Sequence, residues 1–118
     1  MSDRKVPFGA YIRQQRMAKE IGLREMAKRL GVSPTYLSKV ERDEYPPLIE
    51  DRAKKIAQIL ELDPDEVLAM ADRLSSDVLN IIKKNPTELT ALLRTSDGLS
   101  AADLAQTRRD MEARRKAK

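Results

Sequence analysis

Glycine and proline placement constrains this chain more than any other feature. Its 4 Gly and 6 Pro all fall near apparent element boundaries, and no run between them alternates with the period of a strand. The stretches they bound carry apolar residues at helical spacing, so the expected fold class is all-α. Leu23, Met26, Ala27 and Leu30 stand at i, i+3, i+4 and i+7. They predict a helix over 23–30 that ends at Gly31 in a left-handed C-cap. Ser33 then caps a helix that begins at Pro34, buries Leu37 and Val40 and runs to Arg42. Ahead of these, a helix over 7–19 sets Phe8, Tyr11 and Ile12 on one face. Tyr45, Pro46 and Pro47 break the chain, and a fourth helix follows with Ile49, Ala53, Ile56, Ala57 and Leu60. Asp63, Pro64, Asp65 and Glu66 open a fifth, with Val67, Leu68 and Met70.

After Leu74 the pattern restarts. Ser75 and Ser76 open a sixth helix with Val78, Leu79, Ile81 and Ile82. Asn85, Pro86, Thr87 and Glu88 give a cap-plus-Glu start to a seventh, with Leu89, Leu92 and Leu93, which Asp97 and Gly98 end. Ser100 to Asp103 open an eighth, whose stripe of Leu104 and Met111 thins toward an end expected to fray from Arg114 onward. The expected organisation is a five-helix domain over 1–74 and a helical extension over 75–118.

Composition narrows the chemistry. With no Cys and no His in 118 residues, the chain has no thiolate nucleophile, disulfide, zinc finger or imidazole base. Asp63, Asp65 and Glu66 are close in sequence, but capping accounts for them better than a metal site. No Gly-rich phosphate loop is present, so the expectation is a protein that is not an enzyme and needs no cofactor. No apolar run approaches the roughly 18 residues of a membrane helix, and the start MSDRKVPFG has no signal-peptide core. A cytoplasmic protein without a membrane partner is expected.

The formal net charge of +4 hides a segregation. Residues 1–42 carry ten Lys/Arg against four Asp/Glu, whereas 43–74 carry four against nine. Residues 108–118 are basic again, six against two. A localised basic zone on a small domain points to a polyanionic partner.

That zone contains the most informative stretch, 23–42: LREMAKRLGVSPTYLSKVER. Two short helices joined by a Gly-containing turn, the second opening with Ser-Pro and polar at its exposed positions, describe a helix-turn-helix. In that arrangement the second helix sets its N-terminal residues against base edges in the DNA major groove. The segment resembles the Cro- and phage-repressor-type helix-turn-helix family, also called XRE. The matching residues are Ala27, the Gly31-Val32-Ser33 turn, Leu37, Val40, Glu41 and the Pro46-Pro47 step. The resemblance covers about 7–71 and implies a five-helix repressor-like DNA-binding domain.

It further implies that Pro34, Thr35, Ser38 and Lys39 face the bases. These are also the residues left exposed once Leu37 and Val40 are buried. Lys39 is the strong donor among them, with guanine O6 and N7 its natural target. Arg13, Lys28, Tyr36 and Arg42 suit phosphates, which position a protein without reading sequence. Arg16 and Glu41 stand where the family has an internal salt bridge. The chain departs from the family at Gly22, Lys19-Glu20, Gln15 and Leu23. There many members have a hydroxyl N-cap, a Gly, an apolar residue and a phosphate-binding Gln.

Val78, Leu79, Ile81, Ile82, Leu89, Leu92 and Leu93 form an apolar set too large for the extension to bury by itself, and they predict dimerisation. The resulting expectation is a homodimeric, sequence-specific regulator of transcription, a repressor on a two-fold operator. The alternative is the DNA-binding antitoxin of a toxin–antitoxin pair, its extension binding the toxin. A pure protein-interaction module and a repressor cleaved by a regulatory protease are further options.

Overall fold

The computed structural model describes residues 6–118, which form helices and connecting turns. The helices are α1 (Phe8–Ala18), α2 (Leu23–Leu30), α3 (Pro34–Glu41), α4 (Glu50–Leu60), α5 (Pro64–Met70), α6 (Ser76–Lys84), α7 (Pro86–Thr95) and α8 (Ala101–Lys116). They fall in two compact units, Met1–Ser76 and Asp77–Lys118.

In the first unit, α1 and α2 pack on α3, α2 packs on α4, and α4 packs on α5. Ile12, Met26, Leu37, Val40, Leu48, Ile56, Leu60, Val67 and Leu68 are fully buried between them. Burying such side chains stabilises the fold by roughly 1.5–3 kcal/mol each, and the core is aliphatic apart from Phe8 at its edge. Ile49 is not part of it. It is the N-cap of α4, outside helical geometry, and is 60% exposed. Leu48, one residue earlier, enters the core together with Ala53, the positions that a hydrophobic staple uses at a helix start.

All five helices of this unit end alike. Glu20, Gly31, Asp43, Glu61 and Asp72 each take a positive φ. The next N–H then bonds five residues back: Ile21 to Arg16, Val32 to Ala27, Glu44 to Lys39, Leu62 to Ala57 and Arg73 to Leu68, at 2.8–3.2 Å. This is the Schellman arrangement, in which a left-handed residue lets the last carbonyls be satisfied.

The start of α1 is capped from a distance. Pro7 offers no side-chain cap, and the Gly9 N–H donates instead to Asp43 Oδ1 at 2.8 Å, beyond the end of α3. Gly9 is needed for that approach, because a Cβ there would stand 2.2 Å from the Val40 carbonyl oxygen. At the unit's other end Ser75 is buried, and the Ser76 N–H donates to Glu50 Oε2 at 3.2 Å.

The second unit consists of α6 to α8, and none of these helices has a buried residue. Asn85 precedes α7 but makes no side-chain cap bond, since its backbone sits at φ −144° and ψ 66°. Ser100 caps α8 reciprocally: its Oγ accepts from the Asp103 N–H at 3.0 Å, and Asp103 accepts from the Ser100 N–H. α8 continues to Lys116, past Arg114, from which the sequence predicts fraying. Arg114, Arg115 and Lys116 in its last turn complement the helix dipole, and Arg108 pairs with Glu112 one turn earlier.

Candidate nucleic-acid interface

The candidate surface is built from α2, its following turn and α3. Gly31, at φ +81°, reverses the chain within three residues. The Ser33 Oγ accepts from the Tyr36 N–H at 3.0 Å, and Pro34, which lacks a donor to lose, occupies the first turn. Burial of Leu37, Val40 and Glu41 sets the rotation of α3 about its axis. Thr35 and Arg42 are then exposed, and Pro34, Tyr36, Ser38 and Lys39 are half-buried.

Behind this face, Arg16 of α1 clasps Glu41. Its Nε donates to Oε2 at 2.8 Å and its Nη2 to Oε1 at 2.9 Å, while Nη1 donates to the Ile21 carbonyl at 2.9 Å. The two side chains are 11% and 4% exposed. The hydrogen bonds to Glu41 raise the Arg16 pKa above its ordinary value, outweighing desolvation. Arg16 therefore has its donors directed inward and ties α1 to the end of α3.

The remaining polar residues gather in three places. Arg13, Ser38 and Arg42 share a cleft of about 210 Å³, whose lining also includes Arg16, Leu23 and Glu41. Arg42 pairs there with Glu44 at 3.3 Å. Lys28 lies in a second depression on α2 with Arg24 and with Arg29, which pairs with Glu25. Lys39 belongs to a third group: its Nζ stands 5.4 Å from the centroid of the Tyr45 ring. That ring lies 5.5 Å from Tyr36, tilted by 42°. Reading the sequence found Tyr45 only as part of a chain break. The available signal was that Tyr45 is one of few aromatic residues in the chain and sits close to the end of α3.

Asp63 and Asp65 have a structural explanation, since the Asp65 N–H donates to Asp63 Oδ1 at 2.7 Å as the cap of α5. Among the described residues, no group of three or more His, Cys, Asp or Glu could hold a metal ion. No helix among them is long and apolar enough to cross a membrane.

In the second unit, Leu79, Ile81, Leu92 and Leu93 are 42–56% exposed, and Val78, Ile82 and Leu89 are half-buried. Leu92 and Leu93 line an apolar groove of about 380 Å³ together with Leu99, Leu104 and Met111. Leu99, in the α7–α8 turn, was not singled out from the sequence because it lies outside both helical stripes.

Comparison with known proteins agrees with this architecture. The family model described as a helix-turn-helix domain matches residues 7–70, more than half of the chain. Among solved structures, the DNA-binding domain of the P22 C2 repressor is 28% identical with a TM-score of 0.50, covering 55% of this chain and 84% of that one. The clp gene regulator ClgR from C. glutamicum is 32% identical, with a TM-score of 0.48 over 55% of this chain and 83% of that one. The N-terminal DNA-binding domain of SinR from Bacillus subtilis is 30% identical, with a TM-score of 0.47 over 52% and 88%. No curated protein matches. By its matched domain and its α2–turn–α3 unit, the chain belongs to the helix-turn-helix family of the Cro and phage-repressor type.

Proposed function

We propose that the protein is a cytoplasmic, sequence-specific regulator of transcription that binds double-stranded DNA, acting as a repressor by occluding a promoter. The observation that carries this is the outward face of α3, with Thr35 exposed, Ser38 and Lys39 half-exposed, and Arg13 and Arg42 in the cleft beside Ser38. In this reading Pro34, Thr35, Ser38 and Lys39 meet base edges. Arg13, Lys28, Tyr36 and Arg42 meet phosphates and fix the register. The relatives described as DNA-binding domains or gene regulators support the same assignment.

The active species in this reading is a homodimer formed through α6 to α8. None of the residues of α6 to α8 is buried, Leu79, Ile81, Leu92 and Leu93 are 42–56% exposed, and soluble monomers rarely leave a large apolar patch uncovered. Pairing with a second copy covers that patch and places two recognition helices on one side of the duplex, half-sites about one helical turn apart. The test is binding to duplexes from the gene's own upstream region against random duplex, across a salt series. If Arg13, Lys28 and Arg42 of both subunits neutralise phosphates, log affinity falls against log salt with a slope of about −5. Equal affinity for both duplexes refutes the regulator. Light scattering on the full chain and on residues 1–76 tests the dimer: the full chain is expected to be dimeric and the shorter one monomeric. A monomeric full chain assigns the apolar extension to a different protein partner, such as a toxin.

A further inference from the structure

The cations around α3 are not held alike. Arg42 shares its charge with Glu44, an ion pair at 3.3 Å that DNA has to break or share. Lys39 is held by a ring. Its ammonium lies 5.4 Å from the centroid of Tyr45, within the range at which an aromatic face attracts a cation. The ring orients the ammonium without cancelling its charge. The arrangement is enforced from several sides. Asp43 turns the chain at φ +59°, and the Glu44 N–H bonds back to the Lys39 carbonyl at 2.9 Å, which returns the chain across the end of α3. Pro46 and Pro47 restrict the backbone immediately after Tyr45. Tyr36, itself packed against the core, braces the Tyr45 ring at 5.5 Å.

We propose that Tyr45 is a positioning residue for base recognition, holding Lys39 in the orientation from which it reaches a base edge. The proposal rests on the DNA-binding reading and deepens it. A lysine side chain has four freely rotating bonds, and a chain already oriented loses less freedom when it docks. Tyr45 is 40% exposed and stands outside the core, so its removal leaves the helical packing in place. In this proposal its effect on binding passes through Lys39.

The experiment is a double-mutant cycle on a selected operator duplex and on duplexes changed at single base pairs. Lys39→Ala identifies the base pair that Lys39 reads, as the position where preference relaxes. Tyr45→Ala is expected to relax preference at that same position and to weaken operator binding about two- to fivefold, the scale of an exposed cation–π contact. Tyr45→Phe keeps the ring and is expected to retain both. In the Lys39→Ala background, Tyr45→Ala is expected to add nothing. A wild-type chain that discriminates bases through Lys39 while Tyr45→Ala leaves discrimination unchanged overturns this proposal alone. A Tyr45→Ala loss of equal size with and without Lys39 also overturns it, because the ring then acts on DNA directly. A wild-type chain that discriminates no duplex overturns the DNA-binding reading and this proposal with it.

Discussion

Replacing Glu41 by alanine strands the Arg16 guanidinium. In the native chain three of its nitrogens donate, two to Glu41 and one to the Ile21 carbonyl, with both ionic side chains largely removed from water. Breaking one partner of a buried pair costs about 3–5 kcal/mol, because the remaining charge is left uncompensated. Arg16 retains an 11% edge to solvent, which places the expected loss near the lower end, about 3 kcal/mol. For a domain of this size each kcal/mol moves the melting temperature by roughly 4–8 °C, so Glu41→Ala should melt about 12–24 °C lower. Circular dichroism melts and urea titration of the full chain measure this. The double variant Arg16→Met/Glu41→Leu, which removes both charges and fills the space, should recover at least half of the loss. Base preference should stay as in the wild type, because both side chains are largely buried and their polar atoms bond each other and the Ile21 carbonyl. A single variant melting within about 4 °C of wild type, or a double variant no more stable than the single, refutes the reasoning.

Gly9→Ala should destabilise by about 3 kcal/mol, the upper end of overpacking, because its Cβ meets the backbone carbonyls of Val40 and Glu41 at 2.2 and 2.7 Å; a chemical melt within error of wild type contradicts the α1–α3 approach. Glu20→Gly should stabilise by about 1 kcal/mol, since Glu20 is held at φ +56° and glycine takes that region without a Cβ penalty; a lower urea midpoint contradicts it. The Lys54 ammonium, followed by the Ser76 N–H, lowers the pKa of Glu50. Its contribution is thus present above the ordinary carboxylate value of 4.5 and is lost as pH falls through the lowered folded value. Glu50→Gln should flatten that part of the acid limb, read as the urea midpoint from pH 6 to pH 3.

What the sequence made legible was local. Gly31 marks a left-handed turn and Ser33-Pro34 a helix start because the required φ, the missing donor and the capping oxygen belong to the residues themselves. The core stripe of α2 was readable for the same reason, since Met26, Ala27 and Leu30 carry their own spacing. The contacts that shape the surface are not local. Asp43 caps Gly9 across 34 positions, and no residue near Gly9 announces it. Tyr45 reaches Lys39 because Asp43 turns the chain, and although aspartate tolerates the left-handed region, its presence does not say which later residue the turn returns to α3. Ile49 fitted the periodicity of α4 but sits one residue before it, where side chains no longer follow the helical rotation.

Among the described residues, the apolar core of buried side chains lies between Phe8 and Ala71. That unit draws its buried apolar side chains from its own helices and turns. Residues 1–76 are accordingly expected to melt cooperatively when prepared alone. Under the proposed function, substitutions in α6 to α8 would exchange one associate for another while the residues that α3 exposes stay fixed. Changes at Arg16, Glu41, Gly9 or Asp43 have no such latitude, because each alters the seat on which α3 rests.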